Sequence, residues 1–317
     1  MFNEIELENN KIGSAIQYFR ENYKISQIKL CKGLCSVPTL SRIEAGARDV
    51  DSLLLEALLE RLGKTPNQFE LILTDLDYEA YQNREDIRKY IEEKNIHTAD
   101  SLLKIYEKIF AAKGSVHMQF IVSCRALMNE IQGGDVKTTI ELFMEAISYT
   151  VPDFQTSEIS DYYLSSTELN IIIDIIQRMI AAGMVGRAKE LLTRVLDYLD
   201  HHITMAENYM LYPKVAIIAC QIYQREDETK KALDLCNKGI ERNLGSRKLD
   251  YRAELALIKA QTTEELAKTE GSFERRKRDC KRLFIEAFYI YDFCEEYDIA
   301  LEIKQHLKEV YQWEDTD

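Results

Sequence analysis

Proline and glycine are scarce in this chain, with 4 prolines and 12 glycines among 317 residues. Both residue types interrupt helices and build tight turns, so a chain that contains so few of them does not suit a turn-rich β fold. Apolar residues make up 46% of the chain, which is enough to bury a full core, and the length suits two domains. The sequence therefore predicts an all-α protein of long helices joined by short turns.

Charge is distributed unevenly along the chain, whose formal net charge is −13. Residues 1–65 contain nine basic and nine acidic side chains, whereas the remaining 252 residues contain 32 basic and 45 acidic ones. This balance excludes a protein that coats nucleic acid along its whole length, but it leaves room for a local site in the neutral part. We expect two domains with different functions, residues 1–72 and residues 73–317.

No segment of the sequence contains the roughly 18–20 apolar residues that span a bilayer. The first ten residues are acidic and lack the pattern of a signal peptide. Seven cysteines are dispersed without a CxxC pair, which favours reduced thiols over a disulfide framework. The sequence predicts a cytoplasmic protein with no membrane partner.

Residue patterns typical of catalytic or metal sites do not stand out. His201 and His202 form the one histidine pair, and neighbours on a helix point about 100° apart, so they make a poor joint metal site. The sequence has no P-loop, no GxGxxG and no GxSxG motif. We expect no metal, no cofactor and no enzymatic activity.

Two short helices separated by a tight turn are predicted in the neutral part. Ser26 is the expected N-cap of the first, and Ser36 is that of the second, where Pro38 occupies the first turn without cost. Gly46 provides the C-terminal stop of the second helix. Further helices are predicted over residues 50–62 and 66–73. The short connection makes the first pair a helix-turn-helix.

A specific resemblance is carried by the run Ser36-Val37-Pro38-Thr39-Leu40-Ser41-Arg42-Ile43-Glu44-Ala45-Gly46. It resembles the XRE/Cro type of helix-turn-helix, over about residues 10–72. The second helix of such a motif enters the DNA major groove with its N-terminal residues nearest the base edges. This geometry predicts four DNA-facing residues, Ser36, Val37, Thr39 and Arg42. Arg42 is the candidate for a bidentate guanine contact or a phosphate clamp.

The resemblance implies further roles in this domain. It places Gln27 and Arg48 near DNA phosphates. It also implies that Arg20, on a helix that precedes the helix-turn-helix, and Glu44, on the second helix of the motif, form a structural pair. Val37 and Pro38 replace residues that are usually polar in the family, which leaves fewer side chains to read bases. The alternative is a helical bundle with ordinary polar surface residues.

Small residues recur at intervals along the second domain. The aligned positions are Ala99, Thr139, Ala188, Ala232 and Ala300, with steps of 40, 49, 44 and 68 residues. Together with flanking aromatic residues, they resemble tetratricopeptide repeats with helices longer than usual. The last step leaves room for an extra pair, so we expect five helical hairpins and a terminal helix that ends at Trp313. Such hairpins stack into a right-handed superhelix. The alternative is an unrelated helical bundle.

In such a superhelix the first helix of each hairpin lines the inner surface, which suits an extended peptide. Counting along the repeat frame gives the candidate peptide-binding residues Cys124, Met128, Asn170, Ile173, Gln177, Lys214, Ile217, Gln221 and Gln224. Their amides can pair with a peptide backbone, while isoleucine and methionine can receive apolar side chains. Each amide alone is also compatible with an ordinary solvated surface.

The order of the two domains resembles the PlcR/Rgg/PrgX group of quorum-sensing regulators. This resemblance implies a homodimeric transcription regulator that binds a double-stranded DNA operator and a short signalling peptide, with the peptide modulating operator binding or activation. One alternative is a protein-interaction scaffold whose helix-turn-helix is auxiliary or non-functional. Another is a peptide-regulated enzyme, such as the phosphatases with similar repeats, for which no catalytic acid residues can be identified.

Overall fold

The computed structural model describes residues 2–64, 74–155, 159–202, 208–246 and 251–313. Regular secondary structure in these ranges is helical throughout, which confirms the all-α prediction. The first four helices are α1 (Phe2–Asn22), α2 (Gln27–Cys31), α3 (Val37–Glu44) and α4 (Ser52–Arg61). The helix predicted over residues 66–73 lies outside the described residues.

Eleven further helices follow in the described part of the chain. They are α5 (Asp75–Glu92), α6 (Ile96–Phe110), α7 (Ser115–Ile131), α8 (Val136–Thr150), α9 (Ser166–Ala181), α10 (Val185–His201), α11 (Asn208–Arg225), α12 (Thr229–Ser246), α13 (Arg252–Thr269), α14 (Phe273–Phe293) and α15 (Tyr297–Tyr311). This is the predicted set of five helical pairs and a terminal helix, although the terminal helix ends at Tyr311 and not at Trp313. None of the described helices is both long and apolar enough to cross a bilayer.

The small residues of the repeat pattern lie in the helical core, as expected. Ala99, Ala188 and Ala232 are completely buried, and Thr139 and Ala300 are nearly so. A small side chain lets neighbouring helices approach closely. Each of the aligned small residues therefore marks a place where helices pack closely.

By compactness the chain divides into two units, Met1–Tyr198 and Leu199–Asp317. In the first unit, α4 packs against α7 and α9, so the N-terminal helices contact the repeats directly. The core of the first hairpins joins α5, α6 and α7 through residues such as Ile87, Leu103 and Ile121. In the second unit, α13 shares one core with α11 and α12 and another with α14 and α15.

The N-terminal helices enclose a small core of their own. Its buried side chains are Ile16, Leu30, Leu34, Leu40, Ile43, Leu55, Leu58 and Leu62. Helix α1 crosses the end of α3 at Gly13, where an added Cβ would lie 2.1 Å from the carbonyl oxygen of Ile43. Only a glycine permits this approach, which fixes the position of α3 against α1.

Gly13→Ala is expected to lower the free energy of unfolding by about 1–3 kcal/mol, because the new methyl group overlaps a backbone carbonyl that cannot rotate away. Gly186→Ala is the matched control, since an added Cβ there meets no atom within 4 Å. The control should raise stability by about 0.5 kcal/mol, because alanine favours the helix. Urea unfolding of both variants checks the pair, and equal effects would contradict the close crossing.

Candidate nucleic-acid interface and ligand pocket

Side-chain and backbone caps set the ends of α2 and α3. The hydroxyl groups of Ser26 and Ser36 each accept the backbone N–H of the third helical residue, both at 3.3 Å. Gly46 ends α3 with φ at +67°. These contacts confirm the predicted caps. Helix α2 ends at Cys31, and Gly33 turns the chain with φ at +80°.

An ion pair joins α1 to α3, as the family resemblance implied. Arg20 donates from Nε to Glu44 Oε1 at 2.6 Å and from Nη2 to Oε2 at 2.9 Å. The hydrogen bond to Glu44 raises the pKa of Arg20. Gln27 Nε2 also donates to Glu44 Oε2, at 2.7 Å. The amide nitrogen of Gln27 is thus engaged within the domain, and its contact with a DNA phosphate stays a prediction.

The predicted DNA-facing residues lie on and beside the outer side of α3. Ser36, Arg42 and Arg48 are exposed, while Val37 and Thr39 are half-buried. Thr39 Oγ1 lies 2.9 Å from Ser36 Oγ and accepts a hydrogen bond from Arg48 Nη1 at 3.2 Å. The structure therefore brings three of these residues into one polar cluster, with Arg42 one turn further along α3.

Arg61, at the end of α4, ties the N-terminal helices to the repeats. Its side chain is 0% exposed. Nη1 donates to the carbonyl oxygens of Leu30 and Lys32, at 3.1 and 2.6 Å. Nη2 donates to Thr150 O at 3.0 Å and Glu168 Oε1 at 2.5 Å, and Nε donates to Glu168 Oε2 at 3.2 Å. A guanidinium has five N–H donors, so every donor of Arg61 is used.

Glu168, the partner of Arg61, is also part of the cap of α9. Its Oε2 accepts the N–H of Ser165 at 2.7 Å, and Ser165 Oγ accepts the N–H of Glu168 at 3.1 Å. This reciprocal pair is a capping box, which fixes the first turn of α9. The buried charge therefore connects the helix-turn-helix turn to the start of α9.

Two further contacts hold the same interface. An added Cβ at Gly33 would lie 2.0 Å from Thr150 O, so the turn between α2 and α3 lies directly against the end of α8. At the start of α4, Asp51 Oδ1 lies 3.1 Å from His117 Nε2 on α7. Burial disfavours ionisation of Asp51, but its hydrogen bond and attraction to His117 lower its pKa overall. His117 Nδ1 lies 2.8 Å from the Tyr106 hydroxyl.

A cavity of about 340 Å³ lies between α4 and the first helices of the three leading hairpins, α5, α7 and α9. Its apolar lining includes Leu53, Ile91, Phe120, Leu127, Phe143 and Ile171. Its charged lining consists of Glu56, Glu60, Arg88, Glu92, Glu168 and Asp174. The volume is at the small end of the range for ligand pockets, so the cavity suits the anchoring part of a ligand.

Five residues predicted to contact a peptide lie in the first unit. Cys124 and Asn170 line this cavity. Met128 and Ile173 are buried in the helical core, and Ile173 is 0% exposed. Gln177 is exposed on α9, outside the cavity lining. The structure thus brings two of the five together, and their contact with a peptide stays a prediction.

The other four candidates lie on α11 in the second unit. Ile217 is buried in the core between α11, α12 and α13. Lys214 is half-buried and Gln221 is exposed. Gln224 Nε2 donates to Thr262 Oγ1 at 2.9 Å, so this amide joins α11 to α13. Binding of a peptide by these residues also stays a prediction.

Comparison with known proteins identifies the first domain. Residues 16–69 match the family model HTH_3, described as Helix-turn-helix. The first domain is a helix-turn-helix domain. The match includes both capped helices and Arg61 of α4. Arg61 therefore belongs to the matched helix-turn-helix region, while its side chain binds residues of the repeats.

Comparison with solved structures identifies the fold of the chain. Bacillus thuringiensis PlcR in complex with the peptide PapR7 and DNA is similar with a TM-score of 0.52 at 16% identity, covering 93% of this chain and 99% of that chain. PlcR in its apo form gives 0.52 at 14%, covering 93% and 98%. The fold of this chain is the fold of PlcR, a helix-turn-helix domain followed by tetratricopeptide-like hairpins.

A weaker likeness is found to the Streptococcus dysgalactiae SHP pheromone receptor Rgg2, with a TM-score of 0.46 at 15% identity, covering 94% of this chain and 99% of that chain. No curated protein sequence matches this chain. The fold assignment therefore depends on the PlcR structures.

Sequence reasoning did not find the residues of the interface between the domain and the repeats. Arg61 and Glu168 are 107 residues apart in the chain, and each looks like an ordinary helix residue. The one local signal was Ser165 followed three residues later by Glu168, the pattern of a capping box. That pattern predicts the start of α9 but not the arginine that Glu168 meets.

Proposed function

We propose that this protein is a DNA-binding transcriptional regulator whose repeats bind a short signalling peptide that modulates operator binding or activation. Residues 1–72 form the DNA-binding domain in this proposal, and residues 73–317 bind the peptide and form the dimer. The protein acts in the cytoplasm, where its operator lies, and catalysis has no part in the proposal.

One observation carries the proposal: the helices that line the cavity also hold the helix-turn-helix domain in place. Helix α4 lines the cavity through Glu56 and bears Arg61, while α9 lines it through Asn170 and bears Glu168. A ligand changes DNA affinity only when it binds two arrangements of the protein unequally. A cavity wall shared with the domain interface supplies such a difference. The structure of PlcR with a peptide and DNA supports the same pair of ligands here.

A homodimer suits this function because paired domains read two half-sites of an operator. Four apolar side chains near the turn between α14 and α15, Tyr289, Phe293, Tyr297 and Leu301, are between 52% and 78% exposed. Tyr289 and Phe293 are one turn apart on α14, and the other two are one turn apart on α15. The two helices pack on each other. Clusters of exposed apolar side chains are typical of interaction sites. We assign the dimer contact to this surface.

Phe293→Glu is expected to convert the dimer to a monomer, because a carboxylate buried in an apolar interface has no partner there. Sedimentation equilibrium measures the mass. Ile105→Glu is the matched control, since Ile105 on α6 is also an exposed apolar residue, at 52%. The control should remain dimeric. A dimeric Phe293→Glu variant would show that the contact lies elsewhere.

The experiment that tests the proposed function is a selection of bound duplexes from a random DNA pool with the full-length protein at moderate salt. An enriched inverted repeat is the expected result, because a dimer with twofold symmetry presents two recognition helices. The selection is repeated with peptide extracts of spent culture medium. Failure to enrich any sequence in both conditions would contradict the proposal and favour an interaction scaffold with an auxiliary helix-turn-helix.

A further inference from the structure

The cavity beside α4 is lined by charges of predominantly one sign. Glu56 and Glu60 come from α4, Glu92 from α5, and Glu168 and Asp174 from α9. Among the residues that the structure describes, Arg88 provides the single positive charge in the lining. Carboxylates therefore enter from three helices that border the same space.

Two arginines outside the lining reduce this excess. Arg61 pairs with Glu168, and Arg178 Nη1 lies 2.9 Å from Asp174 Oδ1. With these two included, five carboxylates face three guanidinium groups, and Arg88 is itself 2.6 Å from Glu85 outside the lining. The potential inside the cavity is therefore negative, and the low dielectric of its walls strengthens it.

The remaining lining offers an apolar surface and the buried hydroxyl group of Ser123. Phe143 is buried, and Phe120 and Leu127 are half-buried at the cavity wall. Ser123 Oγ, on the same wall, is buried and has no hydrogen-bond partner within the part of the chain that the structure describes. A buried hydroxyl without a partner is uncommon in folded proteins. A ligand with a polar atom beside an apolar group satisfies both features.

We infer that the signalling peptide of this protein anchors here through a cationic group, an ammonium or a guanidinium, that lies next to an apolar side chain. The inference rests on the proposed function, since it takes the ligand to be a peptide. A cation gains charge-assisted hydrogen bonds from the carboxylates, and the apolar side chain is buried against the phenylalanine rings. An acidic peptide meets like charge on three sides and is disfavoured.

The test is a selection from two synthetic random heptapeptide libraries, one with free and one with acetylated amino termini, over the immobilised full-length protein. We expect lysine or arginine beside an apolar residue among the enriched peptides. Enrichment in both libraries assigns the cation to a side chain. Enrichment confined to the first library assigns it to the terminal amine. Both outcomes support the inference.

A pair of double variants shows whether the cavity carboxylates are the cause. Glu56→Gln with Glu92→Gln removes one charge from each of two cavity walls and keeps the side-chain shape. It is expected to raise the Kd of the selected cationic peptide about tenfold. The matched control, Glu79→Gln with Glu93→Gln, removes two exposed charges from α5 and its C-terminal end, outside the lining. The control should change the Kd less than about twofold, because these two carboxylates do not line the cavity and are screened from it by solvent and salt.

The results that would overturn the inference alone differ from the result that would also overturn the proposed function. Enrichment of peptides with neutral or acidic side chains in both libraries overturns the inference and leaves the proposed function intact. Equal affinities of the two double variants for the cationic peptide also overturn the inference alone, because peptide binding itself would be established. Absence of any enriched peptide, with and without operator DNA, overturns the peptide-binding function and the inference with it.

Discussion

Arg61→Met is expected to lower the free energy of unfolding by about 3–5 kcal/mol, the range for removal of one partner from a buried ion pair. Methionine fills much of the same space but donates no hydrogen bond. Glu168, which is 1% exposed, would then be a buried charge without its counter-ion. The carbonyl groups of Leu30, Lys32 and Thr150 would lose their donor as well. Urea unfolding followed by circular dichroism measures the loss.

Two further variants separate the buried ion pair from a general effect of losing an arginine. Arg88→Met removes an arginine that is 45% exposed and pairs with Glu85, and it should cost less than about 1 kcal/mol. Glu168→Gln in the Arg61→Met background should recover part of the loss, because the remaining buried group is then neutral. If Arg61→Met were no more destabilising than Arg88→Met, the result would contradict the buried contacts of Arg61 with α8 and α9.

The second large effect is expected on DNA binding. Arg42→Ala should weaken binding to the selected operator about thirtyfold or more, since a bidentate arginine–guanine contact contributes about 1–3 kcal/mol and a dimer makes it twice. Arg42 is exposed on α3, so the free energy of unfolding should change by less than about 0.5 kcal/mol. Fluorescence anisotropy with a labelled operator measures the Kd, and thermal unfolding verifies the fold.

Arg225→Ala is the control for charge in this experiment. Arg225 is exposed at the end of α11, so its removal changes net charge equally without touching the helix-turn-helix. Its operator affinity should stay close to that of the wild type. Wild-type affinity in the Arg42→Ala variant would show that α3 is not the recognition helix.

The helix-turn-helix was readable from the sequence because its determinants are local. Ser26 and Ser36 each satisfy a backbone N–H only three residues away, and Gly46 supplies a left-handed turn that other residues adopt at a cost. The Arg20–Glu44 pair crosses the domain, yet it was expected because it accompanies a recognisable motif. The contact of Gln27 with Glu44 was not expected, since an exposed glutamine carries no signal of its partner.

The repeats were readable for a related reason. Ala99, Ala188 and Ala232 are small because two helices touch there, and the spacing between such positions repeats along the chain. The repeat frame does not determine which of the predicted peptide-binding residues are exposed, because it counts positions along one helix at a time. Met128 and Ile173 follow that frame but are covered by neighbouring helices.

The sequence by itself determined the helices, their caps, the helix-turn-helix and the number of hairpins, because these depend on residues within a few turns of one another. Only the tertiary structure decided that α4 borders the ligand cavity and that Arg61 meets Glu168 across 107 residues. A buried ion pair leaves no periodic or local trace, since each of its members is an ordinary charged helix residue until the chain folds. Its stability comes from removing both charges from water together, which is a property of the packed interface.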